Sequence, residues 1–320
     1  MPTTVKPVEL HPSAPPRRLP RPDGFKTASI SVGFNGDAIR LLIPAESADA
    51  FVARDEQPGW ASFPKTHTDE EYFSILSVTG SLGTSDTPLF GMNATFANVE
   101  ILPGNEILVV TPRCYRNSDG THELNAKVYN KNGKQQKEFL LGDGINDVQT
   151  NVQGHIWVSY FDEGVFGNFG WKEPFGAAGL SCFDSSGQKM WDYEPPDGFD
   201  SIADCYALNV CKSGAWACYY TEFPIARIDA NWNVRCWKTE SSGARTFAVS
   251  GGKLLMYGGY GEHRTECNLF QFDDEAVKLI ANASLVLPRQ IDLRKDRIIG
   301  RDDSLHVFLE DDWYKFSIQS

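Results

Sequence analysis

A hairpin that returns about every 45 residues, a second strand pair ahead of each return, and turn-forming residues along the whole chain predict an all-β fold. Four short strands per repeat at that period make the blades of a single β-propeller, here six blades within one. Twenty-eight glycines and eighteen prolines suit many tight turns and leave little room for long helices. A lone four-stranded blade cannot cover its own apolar faces, whereas blades arranged about an axis can, so the pattern has to recur.

Residues 1–25 hold seven prolines, at positions 2, 7, 12, 15, 16, 20 and 22. That density predicts an extended, mobile arm outside any sheet ladder, followed by a propeller over 26–320. "ASISVGFNGDAIRLLIP" opens the first blade, and "EYFSILSVTG", with Leu76, supplies its degenerate hairpin. The next four hairpins, "NAKVYNKNGKQQKEF", "GLSCFDSSGQKMWDY", "PIARIDANWNVRCW" and "NLFQFDDEAVKLI", match closely. They place Tyr129, Phe183, Ile228 and Phe272 at a strand end, followed by Asn130, Asp184, Asp229 and Asp273. The last copy, "SLHVFLEDDWYKFSI", keeps Phe308 but has Leu309 in place of the acid. Steps between these aromatic or aliphatic positions are 54, 45, 44 and 36 residues. Ahead of them, "FANVEILPGNEILVVTPR", "INDVQTNVQGHIWVSY", "IADCYALNVCKSGAWACYY", "TFAVSGGKLLMYGGY" and "QIDLRKDRIIGRD" each read as strand, turn, strand.

The segment "GHIWVSYFDEGVF…GLSCFDSSGQ" resembles the bacterial regulator-propeller repeat, in which Gly-x-Ile-Trp-Val leads to Gly-Leu-x-x-Phe-Asp. It is similar, more loosely, to WD-type and NHL-type blades. The close likeness covers one blade, roughly 145–195, and the chain lacks the periodic Trp-Asp dipeptide of true WD repeats. The resemblance implies a propeller, a scaffold that hosts binding proteins and enzymes alike.

A formal charge of −12 disfavours a phosphate-gripping face, so nucleic acid is not expected as a partner. The sharper reading of that acidity is attraction to a basic protein. Seven cysteines cannot all pair and follow no metal-binding spacing, which predicts free thiols in a reducing compartment. No apolar run approaches the ~18 residues of a membrane span, and the N-terminus lacks a signal-peptide core. The expectation is a cytoplasmic protein with no membrane partner.

Strand direction alternates within a blade, so the loop between its second and third strands shares a face with the connection into the next blade. The loops 111–125, 160–179, 220–224, 259–268 and 300–304 are expected on that face. Three blades there present a tyrosine followed by an acid: Tyr160 with Asp162 and Glu163, Tyr220 with Glu222, and Tyr260 with Glu262 and His263. A catalytic dyad would occur once, whereas a recurring tyrosine–acid pair looks like a contact surface, since tyrosine offers a large rigid contact area. The alternative is that these acids are solvated or cap turns. The 160–179 loop carries Phe161, Val165, Phe166, Phe169, Trp171 and Phe175, and is expected to fold over its neighbour.

A second set, Asn98, Asp147 and Asp204, stands at equivalent entries to three innermost strands. Oxygen ligands there could converge on Ca²⁺, an arrangement resembling six-bladed lactonase-type propellers. In that alternative the protein is a metal-dependent hydrolase with Glu163 or His263 as base. Otherwise each of the three side chains bonds a neighbouring backbone N–H to fix a strand start. No nucleophile elbow, phosphate loop or His-Glu-x-x-His motif occurs, so no catalytic residue is assigned. The preferred expectation is a non-enzymatic, cofactor-free propeller binding another protein, in its most concrete form an inhibitor or immunity protein for a basic toxin.

Overall fold

The alternation of side chains along a strand decides what each blade must look like. Where both faces of a sheet are covered by neighbours, a central strand reads as an unbroken apolar run. "EILVV" and "KLLMY" are such runs. In the computed structural model, which describes residues 6–55 and 61–318, both are second strands of their blades, antiparallel to the first and third. The fold is a six-bladed β-propeller, and the chain divides into two units of three blades each.

The unit spanning Pro20–Tyr193 holds the first three blades. The first comprises Phe25–Val32, Ala38–Pro44, His67–Gly80 and Gly83–Ala94. The second comprises Asn98–Leu102, Glu106–Val110, Ala126–Tyr129 and Gln135–Phe139. The third comprises Ile145–Thr150, Ile156–Tyr160, Leu180–Phe183 and Lys189–Asp192. Ile107 and Val109 point from the second blade into a core with Ile39, Leu41, Leu76 and Leu89. Leu108 and Val110 point the other way, towards Val148, Ile156 and Val158. Each such side chain contributes roughly 1.5–3 kcal/mol on burial, so one strand joins two interblade cores.

The second unit joins Glu194–Ser320 to Met1–Leu19. Its blades are Asp204–Cys211, Gly214–Tyr220, Ile225–Asp229 and Val234–Trp237; then Thr246–Ser250, Lys253–Tyr257, Cys267–Phe272 and Val277–Leu285; then Arg297–Arg301, Ser304–Leu309 and Asp312–Ser317. Leu254 and Met256 face the fourth blade, while Leu255 and Tyr257 face Leu305, Val307 and Phe316 of the sixth.

The sixth blade takes its outer strand from the proline-rich leader, contrary to the expectation of a ladder-free arm. Arg17 and Arg18 pair antiparallel with Trp313 and Asp312. Lys6–Leu10 adds a fifth, parallel strand to the fifth blade, against Ala281 to Leu285. Leu19 is fully buried and its N–H donates to the Asp311 carbonyl at 2.7 Å. Proline is tolerated in an edge strand, where Pro7 lies, and Pro12, Pro15, Pro16, Pro20 and Pro22 fall outside the two short pairings. Here the prolines limit strand length without forbidding the ladder.

The repeated Asn or Asp has a physical cause. Asp184 Oδ1 accepts the N–H groups of Ser186 and Gln188, at 2.8 and 3.0 Å. Asp229 does the same for Asn231 and Asn233, and Asn130 for Asn132 and Lys134. In these three hairpins the side chain thus closes the turn that reverses the chain.

Candidate binding surface

Strand register identifies which loops rise together within each unit. Asp204, at the start of an innermost strand, lies opposite Tyr220 at the end of the second, and Thr246 likewise opposes Tyr257. The loops at 221–224 and 258–266 therefore leave from the same end as the entries to those blades. Residues 302–303 do not: they form the turn between the first and second strands of the sixth blade, at the opposite end. The corresponding loop there is at 310–311, because the innermost strand begins only at Arg297.

In the second unit, Phe223 is buried beneath three tyrosines. Its ring centroid lies 5.1 Å from Tyr206, 5.8 Å from Tyr220 and 5.7 Å from Tyr260, with ring planes at 88°, 62° and 73°. Tyr206 and Tyr260 are 6.0 Å apart at 79°, and the Tyr260 hydroxyl donates to that of Tyr206 at 2.6 Å. Tyr220 is 45% exposed and Tyr260 46%. Glu222 and Phe223 hold left-handed backbone angles, φ +60° and +52°, a conformation costing about 1–3 kcal/mol per non-glycine residue. The tight loop so formed leaves Glu222 in solvent and Phe223 buried. Burial, then the bond to Tyr206, then the charge of Asp204 push the Tyr260 hydroxyl upward, so it stays neutral. Glu262 is 90% exposed in the short turn Gly261–Thr265. His263 is tied by Nδ1 to Glu266 at 2.6 Å, a hydrogen bond that raises its pKa.

In the first unit, Tyr160 occupies the register position of Tyr220, opposite Ile145, but it is fully buried, with its hydroxyl donating to the Leu141 carbonyl at 2.5 Å. It offers no contact surface, a correction to the sequence expectation. Blade five repeats that position at the buried Tyr257, three residues before Tyr260. The three tyrosine–acid pairs are therefore not one repeated element.

Glu163 is not a free acid either. Its Oε2 accepts from Arg113 at 2.5 Å and from Asn168 at 2.8 Å. Arg113, 3% exposed, also makes a two-pronged bond at 2.9 Å to the equally buried Asp143 and packs over Phe169. Burial pushes the Asp143 carboxyl up to about 6, against the pull of Arg113 and the N–H groups of Cys114 and Gly144. The short helix Asp162–Phe166 reaches Arg113 because Gly144, φ +69°, lets Gly164 approach: a Cβ on Gly144 would lie 2.3 Å from the Gly164 Cα. Asp162 is exposed and its Oδ1 accepts the Glu163 N–H. Phe169 and Trp171 bury themselves against Cys114 and Phe63, and the Trp171 indole N–H donates to the Cys114 carbonyl. The aromatic loop folds over its neighbour as expected, leaving Phe166 exposed.

Of the proposed metal ligands, Asn98 and Asp147 lie in the first unit and Asp204 in the second. Asn98 opens the second blade opposite Val110. The Asp147 oxygens accept the Val148 N–H at 2.8 Å and the Gln149 side-chain amide at 3.0 Å. Among the described residues no group of three or more His, Cys, Asp or Glu side chains is arranged to hold a metal ion. None of the seven cysteines is in a disulfide, and six of them are buried.

The sequence matches the model of the YxzG family over residues 174–284, about a third of the chain. No curated protein sequence matches it. Among solved structures, the chain is similar to virginiamycin B lyase from Staphylococcus aureus, with 11% identity and a TM-score of 0.45 over 95% of this chain and 98% of that one. The β-propeller domain of the Trilobed protease from Pyrococcus furiosus gives 12% identity and a TM-score of 0.47 over 93% and 84%. YCF48 bound to D1 peptide gives 11% and 0.43 over 99% and 100%. Identities this low say nothing about activity. Among the described residues no helix is long and apolar enough to cross a membrane.

Proposed function

We propose that this chain is a non-enzymatic propeller that binds a basic protein through the loop surface of its second unit. One observation carries the reading: Tyr220 and Tyr260, each nearly half exposed, gather round one buried phenylalanine with Glu222 and Glu262 in solvent beside them. Rigid aromatic area next to exposed acids suits a protein interface better than a small-molecule pocket. The overall charge of −12 steers a basic partner towards it. A cytosolic inhibitor or immunity protein is the concrete form of this role.

The test is affinity capture from native lysate, identification of the protein recovered, and titration of the purified pair. Wild type should bind with an affinity that falls as salt is raised. Replacing Tyr220 and Tyr260 by Ala should weaken binding at least tenfold. A partner that is acidic, or one bound equally well by the double variant, overturns the proposal.

A further inference from the structure

Arg18, Arg113, Arg289 and Arg294 each meet a carboxylate. Two arginines of the fourth blade do not. Arg227 and Arg235 are paired in register on adjacent strands, so their side chains leave the same face of the sheet. The guanidinium carbon of Arg227 lies 5.6 Å from the centre of the Trp216 ring, and that of Arg235 lies 4.6 Å from Trp237. The two indoles stack 5.7 Å apart at 22°, with Phe272 of the fifth blade against both. Like charges directly opposite each other across strands repel. Arg227 is half-buried, its Nε closed off without a hydrogen-bond partner, and among the described residues its terminal nitrogens bond to no protein group. Arg235 gives one bond, to the backbone carbonyl of Asp274 at 2.9 Å, and none to a carboxylate. Acids of the adjoining turns are engaged with other groups. Asp229 accepts the N–H groups of Asn231 and Asn233 and the Asn233 side-chain amide. Asp273 accepts from Lys278 and from the Asp274 N–H. Among the described residues, the chain offers these two cations no counter-ion.

We propose that Arg227 and Arg235 form a receptor for an oxyanion, the carboxylate or phosphate group of a small molecule. A guanidinium fork matches either group with paired N–H donors, and stacking on an indole fixes the fork before the ligand arrives. An anion between the two arginines also offsets their mutual repulsion. The site goes beyond the protein-binding reading and shares no residue with that surface.

The probe is inorganic phosphate, titrated into the full chain at constant ionic strength. The indole N–H signals of Trp216 and Trp237 and the Nε–H signal of Arg227 are followed by NMR. Acetate and chloride are titrated in parallel. Phosphate or acetate should shift these signals saturably, and chloride should bind at least tenfold more weakly than the better of the two. Arg227→Gln and Arg235→Gln, both checked for unchanged melting, should each weaken that oxyanion at least fivefold. Tighter phosphate binding assigns a phosphorylated ligand and tighter acetate binding a carboxylate one, and either result upholds the site. Shifts that chloride reproduces, shifts undiminished by both substitutions, or no saturable shift with either oxyanion overturn it.

Discussion

Moderate acid should destabilise this protein through His306. The residue lies in the Ser304–Leu309 strand, 1% exposed, with its ring stacked 5.6 Å from Trp313. Its Nδ1 accepts the Trp313 indole N–H at 3.1 Å, and a nitrogen that accepts a hydrogen bond cannot also carry a proton. Burial, followed by the charges of Lys315 and Arg301, pushes its pKa down to about 3. The unfolded chain, with histidine near its ordinary 6.5, takes up the proton first. Stability is therefore complete above about pH 6.5 and drains away as pH falls from there towards the folded value. Linkage gives a slope of roughly 1.4 kcal/mol per pH unit, or about 2 kcal/mol lost between about pH 7.5 and about pH 5. Urea denaturation at those two values, on wild type and on His306→Gln, isolates the effect, because glutamine can accept the Trp313 N–H but does not titrate. Wild type should lose about 2 kcal/mol more than the variant over that interval. Equal losses would refute the argument and place a charged or solvated imidazole in the sixth blade.

Two further outcomes follow from buried groups. Arg113→Met leaves Asp143 in the interior without its guanidinium and should cost about 3–5 kcal/mol, with earlier proteolytic cleavage in the 160–179 loop; unchanged melting and cleavage would show the ion pair to be dispensable. Leu19→Ala should cost about 2–5 kcal/mol in denaturant titration, whereas Leu279→Ala, on the exposed side of blade five, should stay within about 0.5 kcal/mol.

The blades were legible because their recurrence has local causes. Asn130, Asp184 and Asp229 each close a turn with their own side chain, and such a device repeats wherever the turn repeats. The leader was misread because pairing of Arg17 and Arg18 depends on strands almost three hundred residues away, which proline content does not reveal. At the surface, Tyr220, Glu222, Tyr260 and Glu262 were found as an exposed group, while Tyr160 was lost to the interior. Its sequence neighbourhood resembles that of Tyr220, but a carbonyl from Leu141 waits for its hydroxyl. Phe223 and Tyr206 escaped notice although they adjoin Glu222 and lie two residues from Asp204. Nothing in a linear pattern says that one phenylalanine will become the floor for three tyrosines. Arg113, Asp143 and Glu163 are scattered over fifty residues, and only the folded chain brings them together.

The two-residue pairing of Arg17–Arg18 with the last strand also sets an order of events on the ribosome. The segment that completes the sixth blade is made first, and the strand it joins is made 294 residues later. Contacts so remote are slow to form and leave partly assembled chains prone to aggregate. Until residue 317 has emerged, Leu19 has no interior to enter and the final sheet keeps an open edge. Newly synthesised chains should thus depend on chaperones most heavily until that last strand has left the ribosome.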